Sequence, residues 1–171
     1  MSVPQKEYAR WLSPEAWASS DPKERALLVA AYYCDEVKVR ETKVNRGFWV
    51  SKFLQSVGLG PGFAYCAAFV SFCLREGGYT DGPKTGRAAV RSWMKWAADN
   101  DRFVTWPERG DLVCLVGPGI SHIEMVVKPL DSAISTIGGN TSSGESGSQD
   151  DGDGVYRRRR SHSKNMYFIR L

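Results

Sequence analysis

The sequence predicts a segregated α+β fold, with helices in the first part of the chain and an antiparallel sheet in the second. Up to Trp106-Pro107 the apolar residues recur at helical spacing. Beyond that point the apolar runs are short, rich in β-branched residues and broken by Gly, Pro and Asp. A polar stretch from Thr141 to Gly154, rich in Ser, Gly and Asp, cannot fill a core and reads as a long surface loop between strands.

Each helix has its own start or stop signal. Ser13-Pro14 offers an N-cap followed by proline at the first helical position. Asp21-Pro22-Lys23-Glu24 is a stronger opening, because a carboxylate cap and an early Glu both suit free N–H groups. The stripe Leu27, Ala30, Ala31, Cys34 and Val37 should then face the core. A second long helix is predicted from about Arg46 to Val57, with Val50, Phe53, Leu54 and Val57 inward and Gly58 as its stop. "GLGPGFAY" bends the chain into a third, from about Tyr65 to Glu76, ended by Gly77-Gly78. A fourth is predicted from about Arg87 to Ala98, with Ala89, Val90, Trp93 and Trp96 or Ala97 inward. These tryptophans read as core rather than as sugar-stacking surfaces.

The predicted strands are "DLVCLV", "SHIEMVV", "AISTIGG", "GVYRRRR" and "NMYFIRL". Arg157 to Arg160 is the conspicuous charge run. Because it continues a strand, alternation splits the four arginines between two faces, and no recognition motif accompanies them. Nucleic acid is therefore not an expected partner, and a net charge of +4 only favours anionic ones.

A chain of 171 residues suits one domain, read as residues 1–44, a helical N-terminal extension, and residues 45–171, the core. An apolar share of 42% and a charged share of 25% are those of a globular protein, and no run approaches the ~20 apolar residues of a membrane span. The start, MSVPQKEYARWLSPEAW, lacks a basic segment followed by an apolar one, so synthesis in a cytoplasm without a secretory signal is expected. Cys34, Cys66, Cys73 and Cys114 stand alone within apolar segments, which argues against disulfides and zinc. "QDDGDGVY" places Asp150, Asp151 and Asp153 as hard oxygen donors, but no Glu completes an EF-hand loop, and a Gly/Asp turn is the simpler reading. No metal or other cofactor is expected.

Cys66 raises the chemical question, since a cysteine inside "GFAYCAAFVSFCL" could simply fill space. Its helix has no Ser, Thr, Asp or Asn at the start, where Phe63, Ala64 and Tyr65 stand. Uncapped N–H groups and the positive end of the helix dipole favour a thiolate, and the same donors could hold an oxyanion. A thiolate nucleophile needs a base, and there are two histidines. His162, in "RRRRSHSKN", reads as a solvated turn residue, whereas His122, in "GISHIEMVV", lies at the start of a strand. A polar group should then orient the imidazole. A hairpin between "SHIEMVV" and "AISTIGGN" with its loop centred on Asp131 sets His122 opposite Asn140 and Glu124 opposite Gly138, all on one face.

"NRGFWVSKFLQSVGLGPGFAYCAAFVSFCL", "RGDLVCLV", "ISHIEMVV", "TIGGNTS" and "DGDGVYRRRR" together resemble the CHAP amidase/peptidase family, papain-like cysteine peptidases related to NlpC-type cell-wall enzymes. The likeness spans roughly residues 45–171. It implies a papain-like α+β fold and hydrolysis of an amide bond in peptidoglycan, as in phage endolysins. By position, Cys66 matches the nucleophile, His122 the general base and Asn140 the polar residue closing the site, and Tyr65 is a candidate cleft residue. Relatives often carry a Glu where this chain has Gly138 and a small residue where it has Glu124. Either the carboxylate has changed strands and Glu124 orients His122, or Glu124 faces solvent and Asn140 does so alone. An amidase toxin, a non-catalytic wall-binding or virion module, and an acyl transferase are other uses of such a scaffold. A monomer acting on peptidoglycan in the periplasm or wall is the expectation.

Overall fold

A computed structural model describes residues 13–142 and 152–171 and has an α+β architecture, with five α-helices followed by six strands among those residues. Helix α1 spans Pro14–Ser19 and α2 Pro22–Ala31. Both predicted caps form: Ser13 accepts from the Ala16 N–H at 3.1 Å, and Asp21 from the N–H groups of Lys23 and Glu24 at 2.8 and 3.0 Å. Helix α2 runs on into a π-helical turn, Tyr32–Glu36, whose wider pitch brings Tyr33 as well as Cys34 into the core. Val37, predicted inward, is only half-buried.

Helix α3 spans Phe48–Gln55, shorter at both ends than its pattern suggested. Arg46 is held outside it by a turn in which its N–H donates to Lys43 and its carbonyl accepts from Thr42. Helix α4 spans Cys66–Glu76, and every residue from Cys66 to Leu74 is buried. A helix apolar on all sides belongs at the centre of a fold. Phe53 of α3 meets Phe69 and Phe72 of α4 at ring separations of 5.1 Å, and Tyr33 at 5.3 Å. Helix α5 spans Val90–Asp99, three residues later than predicted at its start. The Arg87 carbonyl accepts from Ser71 Oγ and Trp93 Nε1, so that backbone serves tertiary contacts rather than a helical turn.

The strands are β1 (Phe103–Val104), β2 (Leu112–Gly117), β3 (Ile120–Pro129), β4 (Ala133–Thr141), β5 (Gly154–Ser161) and β6 (Met166–Ile169). They form one antiparallel sheet in the order β1-β6-β2-β3-β4-β5. Only the two-residue edge strand β1 was missing from the sequence reading. The β3–β4 hairpin takes the predicted register at Met125↔Ile137 and Val126↔Thr136, and a bulge shifts it by one residue toward the loop. The four arginines of β5 do divide: Arg157 grips Asp35 of the π-helical turn, while Arg160 turns into the protein toward Glu124.

One apolar core joins α1 and α2 to α3, α4, α5 and the sheet, so the N-terminal segment is built into the same core as the rest. Residues 37–44 are not helical. Arg40 instead bridges Gly154, and the Glu41 N–H donates to the Asp153 carbonyl, tying this segment to the start of β5. Gly139 lets β4 lie close on α4, because a Cβ there would come 2.8 Å from Phe69 Cβ. Among the described residues, no helix is long and apolar enough to cross a membrane.

Candidate active site

Cys66 is the first residue of α4, and no side chain caps the helix at Tyr65. The preceding residues Phe63 and Ala64 are exposed, so the helix tip lies near the surface, and Cys66 keeps 5% of its area accessible. The other three cysteines are packing residues. Burial pushes the Cys34 thiol up to about 12 and raises those of Cys73 and Cys114 further above their usual range.

β3 supplies His122 and Glu124, two residues apart and therefore on one face of the strand. His122 is 1% exposed and Glu124 fully buried, so Glu124 does not point to solvent. Imidazole Nε2 lies 3.0 Å from Glu124 Oε1. An ionised carboxylate can only accept, so Nε2 carries the proton and donates it to this bond. The other ring nitrogen, Nδ1, is buried and makes no well-aligned hydrogen bond with a protein group. The Cys66 side chain is close enough to the ring to favour its protonated form. The imidazole is thus held by one nitrogen and free at the other, facing a thiol at a helix tip.

Glu124 is held from three directions. Arg160 of β5 donates to both carboxylate oxygens, Nε to Oε2 at 3.0 Å and Nη2 to Oε1 at 2.5 Å. Thr136 of β4 donates its hydroxyl to Oε2 at 2.6 Å. Gly138 makes room: a Cβ there would stand 2.6 Å from Glu124 Cγ, closer than side chains approach. Burial alone would raise the Glu124 pKa, but hydrogen bonds and charge from His122 and Arg160 outweigh it and hold the carboxyl well below its usual range. For His122, burial acts to lower the pKa. Hydrogen bonding and charge from Cys66 and Glu124 win, and the value is raised to about 9.

The structure therefore brings Cys66, His122 and Glu124 together. Asn140 is not joined to them by a hydrogen bond: its side chain is 2% exposed and its Oδ1 has no partner. It has φ of +54°, and the β4–β5 pairing is irregular between Gly138 and Thr141, so the backbone departs from plain alternation before reaching it. Tyr65 is fully buried and stacks toward Phe53 at 6.4 Å, so its ring is a core element and offers no surface to a substrate. His162 is exposed and stacks on Trp106 at 4.9 Å, away from any cysteine pairing.

Arg160 and Thr136 are the members that sequence reasoning missed. The available signals were the predicted split of the arginine run and the side-chain-free position opposite Glu124. Of the calcium candidates, Asp150 and Asp151 lie outside the described residues, and among those described no cluster of three or more His, Cys, Asp or Glu gathers for a metal. Chemically, the arrangement can hold a thiol against a base, keep that base in one tautomer, and present uncapped backbone N–H groups beside the sulfur. In comparisons with known proteins, no family model, no curated protein and no solved structure matches the chain.

Proposed function

We propose that the protein is a cysteine amide hydrolase of the papain-like, CHAP type, acting on bacterial peptidoglycan in the manner of a phage endolysin. One observation carries this reading: an uncapped helix begins at Cys66, within reach of a buried imidazole whose far nitrogen is bonded to a buried carboxylate. Four cysteines are present, and the one at that tip is also the one that faces a histidine.

In the proposed cycle His122 Nδ1 takes the Cys66 proton, and the sulfur attacks the carbonyl carbon of the scissile amide. The oxyanion that forms is met by the Cys66 backbone N–H at the helix tip. The imidazolium, steadied by Glu124, gives its proton to the departing amine. Water, deprotonated by His122, then attacks the thioester and releases the acid and the free thiol. Peptidoglycan as the substrate, and the periplasm or wall as the place of action, rest on the sequence resemblance.

The test is digestion of purified peptidoglycan with wild type and with Cys66→Ala, the fragments being identified by mass spectrometry. Wild type should release fragments with new amino termini, and Cys66→Ala should release none while keeping the wild-type melting temperature. Identical traces would sink the enzymatic reading.

A further inference from the structure

Glu124 is an expensive group to bury, since an ionised carboxylate withdrawn from water must be compensated or it becomes neutral. Here the compensation comes from His122 and from one guanidinium, that of Arg160. Arg160 is itself 9% exposed and commits Nε and Nη2 to the two oxygens of Glu124, a forked contact that fixes the plane of the carboxylate as well as its charge. Its Nη2 also reaches Thr141 Oγ1 at 3.4 Å, which steadies the guanidinium from β4. With Thr136 on Oε2 and the empty side-chain position at Gly138, the carboxylate has one seat, and from it Oε1 meets His122 Nε2.

The groups facing this pair can be named element by element. Helix α4 presents Cys66, β3 carries both members, β4 presents Thr136 and Gly138, and β5 presents Arg160. The residues of β2 opposite His122 and Glu124 are Leu115 and Val113, which carry no charge. Among the described residues, Arg160 is thus the one fixed cation acting on Glu124 besides His122 itself.

We propose that Arg160 is a positioning residue: its fork, together with Thr136 and the space left by Gly138, locks Glu124 so that His122 keeps its Nε2 proton and turns Nδ1 toward Cys66. This rests on the Cys66–His122 reading above. Arg160 touches no reacting atom and acts through Glu124. Lysine cannot replace it fully, because an ammonium is a point charge without the planar fork.

The experiment uses the full chain labelled with ¹⁵N-histidine. With only His122 and His162 present, His162→Gln assigns the two imidazoles. Wild type should show a slowly exchanging Nε2 proton on His122, bonded and shielded. Arg160→Gln should lose that signal to solvent exchange and lower kcat by roughly tenfold or more, part of the ~10²–10⁴ that an oriented acid–base group supplies, with KM little changed. Arg160→Lys keeps the charge and decides the matter if the Gln variant does not fold: it should retain the fold, show faster Nε2 exchange, and lose kcat by about threefold to tenfold. An unaltered His122 signal with kcat within twofold of wild type in whichever variants fold overturns the proposal. The imidazole signal is read whether or not peptidoglycan is cut. A failed digestion therefore counts against the function, and an unmoved signal counts against Arg160.

Discussion

Gly138 and Glu124 occupy facing positions on β4 and β3, and the missing side chain of one is the space filled by the other. This settles which carboxyl or amide reaches the imidazole, because His122 Nε2 is already bonded to Glu124 while the Asn140 amide oxygen bonds to nothing. Glu124→Gln should therefore reduce turnover by about 10²-fold, the scale of an acid–base group that has lost its orientation. It should also lower the alkaline limb of the pH–rate profile, since a neutral amide no longer adds to the support that Cys66 gives the imidazolium. Asn140→Ala should leave both within a few-fold of wild type. Steady-state kinetics across pH on the two variants separates these outcomes, and equal losses would refute the assignment. Cys66 and His122 were legible at this scale from local context alone, one from an uncapped helix start and the other from a strand beginning with histidine. Arg160 was not, because it meets Glu124 across 36 residues of chain that include a polar stretch outside the described residues. No short turn announces the β4–β5 register.

Element boundaries follow the same division between local and distant causes. Asp21-Pro22 and Gly77 mark their helices in sequence and in structure, because capping and termination are decided within a few residues. The start of α5 and the bulges in β3 and β4 are decided by what the backbone meets elsewhere, and a single sequence does not display that. The contact of β4 with α4 is the element-scale feature on which the site depends, since it fixes how far the sheet stands from the helix that carries the thiol. Gly139→Ala puts a methyl group 2.8 Å from Phe69 Cβ, so strand and helix must part. The expected cost is about 1–3 kcal/mol of overpacking. Equilibrium denaturation should show a lowered midpoint with an unchanged slope. An undiminished midpoint would mean that the close approach is not a constraint.

For the molecule as a whole, the buried pair ties stability to pH on two sides. Glu124 has a lowered pKa in the folded protein, so its contribution is present above its usual 4.5 and is lost as pH falls below that value and the carboxylate is protonated. His122 has a raised pKa, so its contribution is complete below the usual 6.5 and is lost as pH rises through about 9. Melting temperatures measured from pH 3 to pH 10 should therefore be highest between about 4.5 and 6.5 and fall on either side. Glu124→Gln should flatten both slopes. A profile unaffected by that substitution would assign the pH response to other groups.

Positions 124 and 138 also constrain how this chain can change. A glutamate installed at 138 on its own would bring a second negative group into a chamber served by one guanidinium, and two carboxylates that close cannot both stay ionised. Removing Glu124 on its own would take from the buried Arg160 the carboxylate that its Nε and Nη2 both grip. Either half of the exchange made alone carries a cost that the other half relieves, so the two positions should vary together rather than one at a time.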